Sequence, residues 1–188
     1  MMASRSLLKP RRWWASFSGI NTPGNSNATS LKRAAVMVLL RHGDRFLLLQ
    51  RANEPNRGLF VPVGGKVDPH EDPRSTAVRE TKEETGIDLD AARIRYAGSL
   101  VETSPVAYNW WLAVYLADID LVDPPPACNE GNLEWVHVED LHRIAKPPSN
   151  EAIYDYVLRG QPFAFNAVYD ASLTLVSMDD EISGEAVL

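Results

Sequence analysis

Between Gly65 and Ile87 the chain sets Gly65, Glu71, Arg79, Glu80, Glu83, Glu84 and Gly86 at the spacing G-x5-E-x7-R-E-U-x-E-E-x-G-U, where U is an aliphatic position. The segment carries its own start and stop. Asp72 stands where a helix N-cap belongs and Pro73 at the first helical position, where a missing N–H costs nothing. Gly86 offers the backbone that ends a helix. Between them Glu80, Glu83 and Glu84 fall at i, i+3 and i+4 and project from one helical face, while Ala77, Val78, Thr81 and Thr85 gather on the other. The spacing predicts a short helix with one side gripping a core and one side lined with carboxylates.

Such a helix is disfavoured on its own. Like charges three or four residues apart each cost roughly 0.2–0.5 kcal/mol, and acids in the last turn meet the negative end of the helix dipole. A hard divalent cation, Mg²⁺ or Mn²⁺, removes both penalties because it takes oxygen ligands and neutralises the cluster. Just ahead of the helix, Gly64-Gly65-Lys66 presents backbone without Cβ atoms that a phosphate or metal can approach closely.

This string resembles the signature of the Nudix hydrolases. The resemblance implies an α/β/α sandwich around a mixed sheet over roughly residues 32–176. It also implies that the Gly64 carbonyl, Glu83 and Glu84 ligate the metal, that Glu80 is a further ligand or a water-activating base, and that Arg79 fixes the carboxylates by ion pairing. Two positions depart from the usual pattern. Thr81 replaces an aliphatic residue, and Val63 separates Pro62 from the glycine pair.

Downstream, Asn129-Glu130-Gly131-Asn132-Leu133-Glu134-Trp135 resembles the acidic loop of MutT-type Nudix enzymes. That likeness implies that Glu130 completes the metal site or acts as base, with Glu134 the alternative; a plain loop acid is the competing reading. Arg51 and Lys66 match phosphate-facing cations of the same group, a task that suits arginine's planar donors, although both also read as surface charges. Pro147-Pro148-Ser149-Asn150-Glu151 resembles the segment that carries a base-reading asparagine in bacterial MutT. An amide accepts from one group and donates to its neighbour. Guanine offers two acceptors, N7 and O6, on that edge, whereas oxidation at C8 turns N7 into a donor, so Asn150 suits 8-oxoguanine. Asn150 also reads as a helix N-cap. Trp110 and Trp111 lie in a predicted strand that sends one indole to each face, and either can stack on a base or pack in the core.

The length fits one domain, expected over 32–177, with an N-terminal extension over 1–31 and a C-terminal tail over 178–188. Residues 1–33 hold six Lys and Arg and no acid, so the formal net charge of −6 divides into +6 there and −12 in the body. A body that acidic repels nucleic acid polymers, whose binding depends on phosphate neutralisation, yet can take a small polyphosphate with metal ions. The basic, serine-containing extension reads as a bland tail or, alternatively, an organellar transit peptide. The single cysteine, Cys128, forms no intramolecular disulfide and fits a reducing, cytoplasmic setting. No apolar run reaches bilayer length.

Strands are expected at 34–40, 46–50, 59–63, 94–100, 106–117, 133–137, 163–169 and 173–176, with helices at 138–144 and 151–158 besides the acidic one. The expected protein is a monomer or homodimer that uses Mg²⁺ to cleave 8-oxo-dGTP or a related nucleoside triphosphate to monophosphate and pyrophosphate. The alternatives are a hydrolase of ADP-ribose, nucleotide sugars or dinucleoside polyphosphates, and a non-catalytic ligand sensor.

Overall fold

A computed structural model of the chain describes residues 31–188. The expected extension lies, apart from Leu31, outside the described residues. Two apolar runs form the centre of the sheet. β1 (Arg33–His42) and β5 (Trp110–Asp118) pair in parallel from Arg33↔Trp110 to Arg41↔Asp118, and their middle residues are buried on both faces, as parallel strands between two layers must be. β2 (Arg45–Arg51) returns antiparallel to β1 through the two-residue turn Gly43-Asp44, where the positive φ of Gly43 (57°) matches the strand twist.

On the β5 side follow β4 (Ile94–Thr103), β8 (Phe163–Tyr169), β9 (Leu175–Asp180) and β10 (Glu185–Ala186); on the β2 side lie β7 (Gly131–His137) and β6 (Ala127–Cys128), with β3 (Phe60–Val61) pairing β2 separately. Only β1–β5 and β4–β8 are parallel among the described pairs.

Helix α1 (Pro73–Thr85) packs on one face against Val36, Val38, Leu47, Leu49 and Val63. On the other face α2 (Ser149–Leu158) buries Ile153 and Val157 against Leu39, Phe46, Leu48, Phe163 and Phe165. The result is an α/β/α sandwich around a mixed sheet. No helix among the described residues is long and apolar enough to cross a membrane.

Both departures in the acidic segment have a packing reason. Val63 is fully buried, and its carbonyl accepts from Val38 N–H at 2.7 Å. Thr81 is also fully buried, its hydroxyl returned to the Ala77 carbonyl at 2.8 Å. Because that bond only offsets the burial of a hydroxyl, Thr81→Val is expected to raise stability by up to about 1 kcal/mol, read as a higher Tm.

Several boundaries differ from expectation. The fifth strand starts at Trp110 rather than Val106, because Asn109 pins the preceding turn: its Oδ1 accepts from Ser104 N–H (3.1 Å) and its Nδ2 donates to Val106 O (2.7 Å). The helix expected at 138–144 is a single 3-10 turn, Val138–Asp140. Beyond it the chain makes only a turn, with the N–H groups of Arg143 (2.9 Å) and Ile144 (3.3 Å) sharing the Asp140 carbonyl. The third strand shrinks to Phe60–Val61, and Ala127–Cys128 form a short strand that was not expected. Past Val176 the sheet continues through β9 and β10 in the segment expected to be a tail. There the buried Asp180 carboxylate accepts from the N–H groups of Ala164 (2.8 Å), Ile182 (3.3 Å) and Ser183 (3.3 Å).

Candidate active site

The acidic helix begins and ends as its sequence requires. The Asp72 carboxylate accepts from Arg74 N–H (2.9 Å) and Ser75 N–H (3.1 Å), and Gly86 closes the helix at φ 72° with its N–H on Lys82 O (2.8 Å). Two turns in, Arg79 gathers the acids. Its Nε and Nη2 donate to both Glu71 oxygens at 2.9 Å, and its Nη1 donates to Glu80 (2.8 Å) and Glu83 (3.1 Å). Nη2 also reaches the Lys66 carbonyl at 3.2 Å, which ties the helix to the glycine loop. Bonding to Arg79 holds Glu71 below the ordinary carboxylate range, and the Glu71 partner pushes Arg79 above the ordinary guanidinium value.

Glu84 turns the other way. It is 8% exposed, and its Oε2 accepts from Gly64 N–H at 3.2 Å. Burial, reinforced by the charges of Glu130 and Glu80, pushes its carboxyl up to about 8. Glu80 shifts upward as well, chiefly through burial and against the opposing pull of Arg79. A charge cluster that strains to stay protonated is one a cation would relieve.

The glycine loop fits the same purpose. The Val63 and Gly65 carbonyls accept from Val38 (2.7 Å) and Val36 (2.8 Å) in β1. Alternation along an extended strand therefore turns the Gly64 N–H and carbonyl to the opposite side, where Glu84 is met. A Cβ on Gly64 would lie 2.1 Å from the Val36 carbonyl oxygen, and one on Gly65 would lie 2.2 Å from Glu80 Oε1. At Gly64 the obstacle is main chain and only glycine permits the approach, whereas at Gly65 a Cβ would displace the Glu80 carboxylate. The donor set is all oxygen, as Mg²⁺ or Mn²⁺ prefers, so the residues suit a divalent cation. Among the described residues no three acidic, histidine or cysteine side chains already form a closed cage; Arg79 holds Glu80 and Glu83 on one nitrogen instead.

Arg51 and Glu130 meet across two strands. Arg51 Nη1 lies 3.1 Å from Glu130 Oε2, and Arg51 Nε donates to Pro55 O at 2.9 Å. The acidic loop reaches this point because Gly131 packs against β2, where a Cβ would lie 2.0 Å from the Gln50 carbonyl oxygen. Glu134 is exposed on β7 and lies outside the cleft, which leaves Glu130 as the loop acid at the site.

A cleft of about 880 Å³ runs from Glu80, Glu84, Glu130, Arg51 and Lys66 to Trp110 and Asn150. Glu83 is exposed and does not line it. Trp110 faces into it, with the Arg33 guanidinium 5.5 Å from its ring centre. Trp111 does not line the cleft: alternation puts it on the α1 face, 36% exposed. Asn150 is not an N-cap, since Pro148 takes that position and Asn150 is the second residue of α2. It is 2% exposed, and its Nδ2 is buried near the Tyr154 hydroxyl, the two atoms falling short of hydrogen-bond geometry. Sequence reasoning missed Glu102 and Tyr108, which also line the cleft. Glu102 carried a readable signal, an acid two residues from Leu100 on the core-facing side of a strand.

A family model of the NUDIX domain matches residues 31–158. A Bacillus subtilis protein described as an uncharacterised Nudix hydrolase is 30% identical over 135 residues, covering 71% of this chain and 83% of its own. A Mycobacterium tuberculosis protein described as a putative 8-oxo-dGTP diphosphatase is 35% identical over 144 residues, covering 72% of this chain and 63% of its own. The crystal structure of a MutT protein from Bacillus halodurans superposes with a TM-score of 0.70 at 23% identity, over 80% of this chain and 98% of that one.

Proposed function

Because the chain belongs to the Nudix domain family, whose hydrolases act on the pyrophosphate bonds of nucleotides with divalent metal ions, we propose that it uses Mg²⁺ to cleave 8-oxo-dGTP, or a close relative, to nucleoside monophosphate and pyrophosphate. The observation that carries this reading is one cleft with an oxygen-rich acid cluster at one end and Asn150, whose Nδ2 makes no hydrogen bond, at the other. The relative described as a putative 8-oxo-dGTP diphosphatase supports it.

Glu80, Glu83, Glu84 and the Gly64 carbonyl are the residues that would hold the metal. When bound, it supplies charge neutralisation at the phosphates and a more acidic water. Arg79 keeps Glu80 and Glu83 oriented in the meantime. Glu80, whose proton affinity is already raised, or Glu130 accepts the water's proton. Arg51 and Lys66 receive phosphate oxygens, and Arg51 is set for this by its bonds to Pro55 O and Glu130. Since phosphoryl transfer mainly demands positioning and charge neutralisation, these groups cover its needs. Trp110 offers a stacking face for the base.

Asn150 reads the oxidised edge. Its Nδ2 donates to O6 while its Oδ1 accepts the N7 hydrogen that only the 8-oxo form carries; with guanine the amide oxygen would face a lone pair. Hydrolysis of dGTP and 8-oxo-dGTP with and without Mg²⁺, with product analysis, tests the reading. Mg²⁺-dependent release of pyrophosphate and a preference for the 8-oxo form that falls about tenfold or more in Asn150→Ala are expected. Hydrolysis of ADP-ribose or dinucleoside polyphosphates without pyrophosphate release from triphosphates would overturn it.

A further inference from the structure

The cleft contains a second buried polar centre that the metal and phosphate groups do not use. Glu102, 4% exposed on β4, lines the cleft with its carboxylate among neutral donors. Its Oε1 accepts from Ser149 Oγ at 3.2 Å and Tyr169 OH at 3.0 Å. Lys32 Nζ goes to the main-chain carbonyl of Glu102 (2.9 Å) and to Thr103 Oγ1 (2.7 Å) rather than to the carboxylate. No ion pair is formed on this carboxylate among the described residues. Burial accordingly pushes its proton affinity up.

The Tyr108 hydroxyl also reaches this carboxyl, and an acceptor serving only neutral hydroxyls need not be an acid. A glutamine offers such hydroxyls an acceptor oxygen without the desolvation of a charge, so a buried carboxyl with no cation on it costs more than a purely structural role requires. Its surroundings fit a ligand instead. Tyr108 stands edge-on to both Trp110 (6.4 Å between ring centres) and Tyr169 (5.8 Å), which builds an aromatic frame beside the acid. Ser149, on Glu102, directly precedes Asn150, whose amide is orphaned in the same cleft.

Register fixes the spacing from the acid cluster. Glu102 pairs with Trp110 and Trp110 with Arg33, while the Gly64–Lys66 segment bridges the far side of β1 at Ala35. Three strand spacings, about 14 Å, separate the two ends, a distance suited to phosphates at one end and a base at the other. Support from beyond the matched domain, which ends at residue 158, comes in two parts: the β8–β9 turn places Leu173 at the cleft, and Tyr169 of β8, buried behind it, holds Glu102.

We propose that Glu102, held by Tyr169 and Ser149, is a specificity-determining residue that takes the paired N1–H and 2-amino donors of a guanine-type base. This rests on the triphosphatase reading and deepens it. O6 lies between N7 and N1 on guanine, so an amide at the N7/O6 edge and a carboxylate at the N1/N2 edge address adjoining edges of one ring. Adenine presents no N1–H donor and hypoxanthine no 2-amino group, so each leaves acceptor capacity on the buried carboxylate unused. Tyr169 acts as a positioning residue, aiming the carboxylate through its hydroxyl.

The test is steady-state hydrolysis of dGTP, dITP and dATP by the full chain, as the wild type, Glu102→Gln and Tyr169→Phe, with melting curves for each protein. The wild type is expected to favour dGTP over dITP by about 10- to 100-fold in kcat/KM, carried mainly by KM, as a hydrogen bond to a charged group implies. Glu102→Gln should collapse that ratio toward one, and Tyr169→Phe should lower it partway. A wild-type ratio within about threefold, or a ratio that survives Glu102→Gln, overturns the inference; should Glu102→Gln fail to fold, an unchanged ratio in Tyr169→Phe does so. Absence of pyrophosphate from every triphosphate defeats the underlying reading instead, which keeps the two failures distinct.

Discussion

Glu84→Gln is expected to lower Mg²⁺-dependent turnover by about a hundredfold or more while making the metal-free protein more stable at pH 8. The two effects have one origin. Glu84 is buried beside Glu80 and Glu130, and its folded-state carboxyl titrates near 8 against an ordinary value of 4.5. Between those values the folded chain holds a proton that the unfolded chain has released, so stability of the metal-free wild type falls as pH rises from about 4.5 to about 8. Below that window the group has no effect; above it the full penalty of a buried charge applies, on the order of a few kcal/mol. Glutamine removes this slope, keeps the Gly64 N–H bond and forfeits the anionic ligand. Thermal melts of both proteins from pH 4.5 to 8.5 without metal should diverge with rising pH, the variant melting higher. Addition of Mg²⁺ should stabilise the wild type by mass action and the variant far less. Parallel melting curves across that range would show that the burial of Glu84 carries no such penalty.

Local rules made the acidic helix legible. Asp72, Pro73 and Gly86 bound α1 where the sequence places its ends, because capping depends on a handful of neighbouring atoms. The central strands were legible for a related reason, since runs such as Ala34–Leu40 are apolar on both faces only when two layers cover them. What the sequence hid is set by partners distant along the chain. Asn109 delays β5 by bonding the Ser104–Val106 turn, and Asp180 extends the sheet past Val176 by collecting three backbone N–H groups. Neither act leaves a periodic trace.

The site divides the same way. The spacing of Arg79, Glu80, Glu83 and Glu84 announces a shared face, but not that Glu84 turns inward to Gly64 while Glu83 stays exposed. The choice between Trp110 and Trp111 depended on which layer covers which face, a tertiary fact. Asn150 was legible as a polar residue at a helix start, yet its place inside the helix with an unpartnered amide follows from Pro148 taking the cap. Glu102 was readable only as an acid on the core-facing side of a strand; Tyr169, which makes it a centre, lies 67 residues away.

Arg79→Ala is expected to be the most damaging single change to the fold and the site together. The guanidinium bridges three carboxylates and one carbonyl: Glu71 at both oxygens, Glu80, Glu83 and Lys66 O. It is 28% exposed, Glu71 23% and Glu80 14%, so these bonds are only partly screened by water; Glu83, at 59%, contributes little. Removing the cation leaves Glu71 and Glu80 without the partner that now holds both, so Arg79→Ala is expected to melt at a lower temperature than the wild type. Arg79→Lys should recover only a minor part, because one ammonium cannot span Glu71 bidentately and hold Glu80 as well. Catalysis should fall in both variants through lost orientation of Glu80 and Glu83. Saturating Mg²⁺ should restore part of the stability, since the cation repays the same electrostatic deficit, but not the link from α1 to the Lys66 carbonyl. Denaturant melts of the wild type and both variants with and without Mg²⁺ measure each component. Denaturant melts of Arg79→Ala that coincide with those of the wild type without metal would mean that the three acids are stable without their shared partner, and that Arg79 is a surface charge rather than the organiser of the site.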